Sequence, residues 1–386
     1  MKKPTLDVNN LLSALYIFML LLLLGSASCH SPSKPIEDRS KVTTYVLQPA
    51  YAKGFRIVLE QDHEILEIMD PWNHHQVLNR LLIVRSDSER SLTTEPDNTI
   101  KVPVKQFITL SSTQWGMLLQ LGAAQHIAGI TEAPFVQNPE MQRMLERGEV
   151  AEVGRDGFFK YELLSTFSGA VMLYFPDAAG LPVPMQALPL TLLPWPDYTE
   201  PHPLGRAEWL RLIGFLIDKQ PLADSIFDSI ASAYSKLSEL AQSAGSRPSI
   251  FSDKLFAGQW YVPGGNSYIA KIMEDAGAEY IFRDINASGS VPLDPEAILA
   301  RAANADYWRI PHAGDIGGYQ GLLAENAIYG KFSAFRKRQI ILCNTRESAY
   351  FEQGPLEPHI LLADFIAIFH PEILPGHKPR YHQLMR

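Results

Sequence analysis

From Phe107 to the C-terminus the chain alternates short apolar runs with stretches of helical spacing, and that alternation restricts it to a parallel α/β architecture. Phe107-Ile-Thr-Leu110 reads as a strand, and Ser111-Ser112-Thr113 offers an N-cap to a helix reaching Leu121. Gly122-Ala123-Ala124 closes that helix, and Ile127-Ala-Gly-Ile130 is the next strand. Glu162 to Phe167 then forms a helix that leads into the strand Ala170 to Phe175. The same grammar returns later. Trp115 to Gly129, a helix followed by Leu-Gly-Ala and a strand, is echoed by Ile269 to Phe282, and Glu162 to Phe175 is echoed by Glu296 to Trp308.

Between the two halves, residues 205–244 contain one proline, Pro221, and place Leu210, Ile213, Phe215, Leu216, Ile217, Ile226, Phe227, Ile230, Tyr234 and Leu237 at helical spacing. This predicts a long helical segment with a break near Lys219-Gln220-Pro221. Ahead of Phe107 the texture differs: Phe55 to Leu59, Ile65 to Ile68 and Arg80 to Val84 read as short antiparallel strands. The expected fold is therefore α/β, with two Rossmann-like lobes (51–204 and 246–386) joined by a long helix (205–245) and a short β-rich N-terminal extension.

The first residues carry an export signal. Lys2 and Lys3 precede an apolar run from Leu11 to Leu24 that is short for a membrane span, followed by Gly25-Ser-Ala-Ser-Cys29. This segment is similar to bacterial lipoprotein signals, which implies cleavage after residue 28, a diacylglycerol on the Cys29 sulfur and a membrane anchor at the periplasm or cell envelope. Ser26 stands where such signals usually have leucine, and a plain secretory signal cut after Ala27 or Ser28 is the competing reading. Residues 29–50 then form a tether, Ser/Pro/Lys/Asp-rich to about residue 42. The other cysteine, Cys343, lies in the apolar run Gln339 to Cys343 and reads as a small buried hydrophobe with no disulfide partner. With a formal net charge of -8 and no Lys/Arg run past the N-terminus, nucleic acid is a poor partner.

Several segments, in their order and spacing, resemble the helical-backbone class of periplasmic binding proteins, which serves ABC importers of ferric siderophores, haem and cobalamin. They are Thr109-Leu-Ser-Ser-Thr113 with Leu121-Gly-Ala123, Val153-Gly154 to Glu162, Tyr261-Val-Pro-Gly-Gly-Asn-Ser-Tyr268, and Pro295-Glu-Ala-Ile-Leu-Ala-Arg301. The resemblance covers about residues 104 to 372. It implies a ligand held between two lobes, a rigid hinge with small closure, and delivery to a permease dimer. In that class one surface glutamate per lobe docks onto permease arginines, and Glu162 and Glu296 match those positions. Two separated charges on a rigid body make an orientation-specific contact, although acidic residues also favour helix N-termini for the dipole alone.

Ligands of open parallel sheets bind at the carboxyl ends of the strands. That rule selects the loops Ser111 to Trp115, Thr131 to Phe135, Arg155 to Phe159 and Tyr174 to Asp177 in the first lobe. In the second it selects Gln259 to Tyr261, Ser288 to Ser290, Trp308 to His312 and Thr345 to Phe351. Within them Ser112, Trp115, Phe158, Phe175, Trp260 and Tyr261 are candidates for contact with a large flat chelate, with Trp115 equally suited to the core. Arg346 is a candidate partner for an anionic siderophore, a haem propionate or a corrin amide. His312 and Tyr261 are of the types that ligate haem iron or cobalt, while His74-His75 lies in a turn and reads as solvated loop. Cobalamin binders of the resembled class usually place tryptophan before the first docking glutamate; here Arg155-Asp-Gly-Phe-Phe159 stands there, which tilts the reading to an iron complex.

No Gly-x-Ser-x-Gly, His-Glu-x-x-His, phosphate-cradling Gly-x-x-x-x-Gly-Lys or nucleophilic cysteine occurs. The expectation is a carrier rather than an enzyme, with no cofactor, since the chelate is cargo. A haem- or corrinoid-scavenging lipoprotein without a permease, and a chelatase, are the alternatives.

Overall fold

A computed structural model describes residues 44–73, 76–85, 98–155, 157–176 and 181–386. The signal segment, Cys29, His74-His75 and Asp156 lie outside the described residues.

The N-terminal extension is a five-stranded sheet of β1 (Thr44–Leu47), β2 (Phe55–Glu60), β3 (His63–Met69), β4 (Val77–Arg85) and β5 (Thr99–Val102), in chain order. It is an antiparallel meander except for β5, which runs parallel to β4. Alternation decides its two faces. Ile57, Leu66, Ile68, Leu81, Ile83 and Ile100 point inward to one apolar cluster with Trp209 and Phe215. The outer face carries an ion-pair ladder, Arg56–Glu67 at 2.6 Å, Arg80–Glu67 at 3.1 Å and Arg80–Glu60 at 2.7 Å.

The first lobe is built on β6 (Phe107–Thr109), β7 (Ile127–Thr131), β8 (Ala151–Arg155), β9 (Phe158–Phe159), β10 (Val171–Tyr174) and β11 (Thr191–Pro194). The strand order is β11-β10-β6-β7-β8-β9, parallel throughout except for the β8–β9 hairpin. The chain starts at β6, moves outward one way to β8, then crosses to β10 on the other side, so the strand order reverses beside β6. Helices α1 (Ser112–Gln120), α2 (Pro139–Glu146), α3 (Tyr161–Leu164) and α4 (Val183–Gln186) fill the connections. Gln114 fixes the start of α1 by accepting from the amides of Leu110 (2.8 Å) and Ser111 (3.2 Å).

The link is a helical hairpin. α5 (Pro203–Leu216) reverses at Ile217–Lys219 into α6 (Gln220–Gln242), about 35 Å long. Asp218 takes a left-handed φ of 59° at the reversal. Gly214 permits the close approach, since a Cβ there would lie 2.4 Å from the Ala223 Cβ. The break expected near Lys219 is thus a full turn of the chain. α5 packs mainly in the core of the first lobe, while α6 carries Phe227, Ile230 and Tyr234 into the core of the second.

The second lobe has a sheet of order β15-β12-β17-β18-β19, from β12 (Ser249–Ser252), β15 (Glu279–Tyr280), β17 (Tyr307–His312), β18 (Ile340–Asn344) and β19 (Gln383–Leu384). Only β19 is antiparallel. A separate antiparallel sheet, order β13-β14-β16, comes from β13 (Leu255–Phe256), β14 (Gln259–Pro263) and β16 (Ser290–Leu293). The helices are α7 (Tyr268–Asp275), α8 (Pro295–Ala302), α9 (Gly318–Glu325), α10 (Ser333–Arg336), α11 (Tyr350–Gln353) and α12 (Pro358–Phe369). Cys343 is fully buried in β18, and burial pushes its thiol up to about 11. Among the described residues no helix is long and apolar enough to cross a membrane.

Candidate functional site

A cleft of about 310 Å³ opens where the carboxyl ends of the two parallel sheets meet. The first lobe contributes the loops after β6 and β7, including Ser111, Ser112, Thr113, Thr131, Phe135 and Gln137; the second contributes Thr345, Ala349, Phe351 and Glu352, which follow β18. Thr131 ties the first two loops together, its Oγ1 donating to Leu110 O at 3.1 Å.

Arg206, in the first turn of α5, forms the floor. It is buried, its Nε donates to Asp197 Oδ2 at 2.9 Å, and its guanidinium lies 4.7 Å over the Tyr268 ring. Burial holds the Asp197 carboxyl above the ordinary range, and the Arg206 charge only partly opposes that. One side of the cleft is closed by direct contact between the lobes. Thr113 Oγ1 donates to Phe351 O at 2.8 Å, and the Gln137 amide donates to Glu352 Oε1 at 2.5 Å. Gly116 makes this contact possible, because a Cβ there would lie 2.2 Å from Glu352 O. Glu352 is buried, and its Oε2 has no partner among the described residues. Burial raises its pKa against the pull of the Gln137 and Asn138 amides. The arrangement therefore offers a buried cation, hydroxyls and two exposed phenylalanines, Phe135 and Phe351, around one concavity. No three His, Cys, Asp or Glu side chains among the described residues are grouped to hold a metal ion.

The candidates read from the sequence fall in different places. Ser112 lines the cleft. Trp115 also lines it, yet its ring is buried in the core of the first lobe, so it serves both roles. Phe175 follows β10 on the same sheet edge and packs against Tyr198, with ring centroids 4.3 Å apart. Phe158 is 81% exposed on β9, the outermost strand of its sheet, and does not border the cleft. His312 is the half-buried last residue of β17, and Arg346 is exposed beside Thr345; neither lines the cavity.

Trp260 requires a correction. The sequence places Gln259-Trp260-Tyr261 in a loop, but the segment is β14. Trp260 points into the core among Phe251, Trp308, Tyr329 and Phe332, and its Nε1 donates to Ser252 O at 3.0 Å. It has no exposed surface with which to meet a ligand in this conformation. Tyr261 alternates to the exposed face of β14 and lies outside the cleft lining. Glu162 and Glu296 both stand exposed in the first turns of α3 and α8, and their carboxylates have no ion pair among the described residues.

Sequence reasoning missed Arg206, Asp197 and Glu352. Arg206 carried a faint signal, a charge inside the apolar helical run Leu204 to Phe215. Asp197 and Glu352 carried none, since Asp197 takes its meaning from Arg206 and Glu352 from Gln137 on the other lobe.

The sequence model of the periplasmic binding protein family matches residues 190–347. A curated relative, an uncharacterized lipoprotein of Methanocaldococcus jannaschii, is 25% identical over 73% of this chain and 69% of its own length. The fold is similar to an ABC-type Fe3+-hydroxamate transport system from Saccharomonospora viridis, with TM-score 0.56, 18% identity, and coverage of 69% of this chain and 94% of that one. It is also similar to a periplasmic heme binding protein from Pseudomonas aeruginosa, with TM-score 0.54, 18% identity, and coverage of 73% and 96%. At such identities the likeness establishes the fold.

Proposed function

We propose that this chain, which has the fold of the periplasmic binding proteins, is an exported, lipid-anchored carrier of a metal chelate. It binds an iron complex (a ferric siderophore or haem) or cobalamin between its lobes and hands it to the permease dimer of an ABC importer. The observation that carries this reading is the cleft itself: the carboxyl-edge loops of two parallel sheets converge on buried Arg206, flanked by exposed Phe135 and Phe351. A guanidinium suits the carboxylate or phenolate oxygens of such a chelate, and flat apolar contact suits the rest. The names of the solved relatives, an Fe3+-hydroxamate system and a heme binding protein, support an iron complex. The lipoprotein name of the curated relative supports lipidation at Cys29 and a location at the periplasm or cell envelope. Exposed Glu162 and Glu296, one on each lobe, are the proposed permease contacts.

Titrating the purified chain with haem, cyanocobalamin, a ferric tris-catecholate and a ferric tris-hydroxamate tests the reading. At least one is expected to bind at micromolar concentration or tighter, with Arg206→Ala weakening it about tenfold or more, the scale of a charge-assisted hydrogen bond. Absence of binding by all four sinks the proposal.

A further inference from the structure

A cleft of about 310 Å³ is at the small end for ligand pockets, so a bulky chelate extends beyond it unless the lobes part. The first lobe carries an aromatic surface next to it. Trp72, Phe175 and Tyr198 are in ring contact, Phe175–Tyr198 at 4.3 Å and Trp72–Phe175 edge-on at 6.3 Å. Phe175 follows β10 and Tyr198 follows β11, so both lie at the carboxyl edge that also presents Ser111. β10 lies directly beside β6, with Leu173 opposite Thr109 in the register, which brings Phe175 level with Ser111. Tyr198 is the neighbour of Asp197, whose carboxylate holds Arg206 in the cleft floor. The aromatic group thus stands on the same carboxyl edge as the cleft, on the β10–β11 side of β6, although none of its three rings lines the cavity itself.

Trp72 comes from the N-terminal extension. Its exposure is 59%, whereas the other five tryptophans, Trp115, Trp195, Trp209, Trp260 and Trp308, are each 2% exposed or less. A single exposed tryptophan packed against Phe175 is the costly exception in a chain that buries the rest. It is also held in place. Asp70 Oδ1 accepts from the amides of Trp72 (2.8 Å) and Asn73 (3.2 Å), which fixes the turn. The sheet behind it is bound by two buried carboxylates, Glu208 on α5 and Glu200 just ahead of it: Glu208 accepts from the amides of Ala50, Tyr51 and Ala52, and Glu200 from those of Lys53 and Gly54.

We infer that Trp72, Phe175 and Tyr198 form a shelf that holds a flat, π-faced part of the cargo, so that the N-terminal extension contributes directly to ligand selection. The inference rests on the carrier reading above. One tilted and one edge-on ring contact set these rings at fixed angles, which gives such a shelf shape selectivity without charge.

The test compares the full chain with Trp72→Ala and Tyr198→Ala, using haem, cyanocobalamin, a ferric tris-catecholate and, as the ringless comparison, a ferric tris-hydroxamate. Limited N-bromosuccinimide oxidation read by mass spectrometry reports Trp72 selectively, because the other indoles are buried. A bound flat probe is expected to slow Trp72 oxidation several-fold, and each variant to weaken that probe by about tenfold, the scale of ring stacking. Trp72→Ala should leave the melting temperature nearly unchanged, since Trp72 is the more exposed of the two, and both variants should leave any hydroxamate affinity unchanged, since that probe has no ring to stack. If a flat probe binds while Trp72 oxidation and both variant affinities stay as in the parent, the shelf is wrong and the carrier reading stands. Binding of the tris-hydroxamate alone has the same consequence. If nothing binds, the carrier reading falls and the shelf falls with it.

Discussion

Replacing Glu208 with alanine should release the N-terminal extension from the lobe. The Glu208 side chain has no exposed surface, and its carboxylate accepts from the amides of Ala50 (2.8 Å), Tyr51 (2.7 Å) and Ala52 (2.9 Å) while pairing with Arg211 at 3.1 Å. Alanine removes all four partners at once. Ala52 is buried, so its amide is left without water or acceptor, at about 1–3 kcal/mol. Ala50 and Tyr51 are nearer solvent and recover part of their loss by hydration, adding about 1 kcal/mol each. The sum, about 3–5 kcal/mol, is the range for removing one member of a buried charge pair. For a unit this large that corresponds to a fall of roughly 4–7 °C in melting temperature. Glu208→Gln keeps the volume and one acceptor and should lose about half as much. Calorimetry gives the melting temperature, and hydrogen exchange by mass spectrometry should show amides 50–54 losing protection ahead of the rest. If Glu208→Ala melts within about 1 °C of the parent and residues 50–54 stay protected, the carboxylate does not anchor the extension.

Three further outcomes are expected. Gly116→Ala puts a methyl 2.2 Å from Glu352 O, so the contact between the lobes must open; it should cost about 1–3 kcal/mol in urea unfolding and weaken chelate binding, and unchanged values for both would show the contact to be slack. Glu200 is buried among amide donors and its carboxyl is pushed up to about 7, chiefly by desolvation. The folded chain therefore binds this proton more tightly than the unfolded chain, and stability should fall as pH rises from the ordinary carboxylate range through about 7 and then level off. Glu200→Gln should flatten that stretch of a urea-unfolding series taken between pH 5 and 8, and an unaltered slope would assign it to other groups. Reversing both proposed permease contacts, Glu162→Lys with Glu296→Lys, should abolish importer-dependent uptake while chelate affinity stays as in the parent; uptake that survives removes the pair from the docking surface.

Much of the architecture was legible in local pattern. The strand-then-helix alternation after Phe107 reports on each element separately, and each of those elements needs only its own periodicity to declare itself. The rule that ligands gather at strand carboxyl ends was also usable from sequence, and three of its loops, Ser111 to Trp115, Thr131 to Phe135 and Thr345 to Phe351, do border the cleft. It misled at Gln259 to Tyr261. A Gln-Trp-Tyr segment before Val-Pro-Gly-Gly looks like a loop, but Ala257-Gly258, both at left-handed φ (48° and 84°), turns it into a hairpin with β13. The strand β16, with Leu293 opposite Trp260, then completes the sheet. Pairing across that distance decided that Trp260 faces the core and Tyr261 faces out.

The two α/β halves and the helical link are properties of successive residues, and periodicity sufficed to read them. Which charges would be buried together was a different matter. Arg206 finds Asp197, Glu208 finds the amides of residues 50–52 from more than 150 positions away, and Glu352 reaches Gln137 across the cleft. Beyond the faint signal at Arg206, local pattern does not mark such residues, because a buried carboxylate or guanidinium is tolerated only where packing brings its partners, and packing is settled by all the elements at once. The same holds for Trp72: its turn was visible in the sequence, but its place beside Phe175 and Tyr198 was decided only when the N-terminal sheet docked on the first lobe.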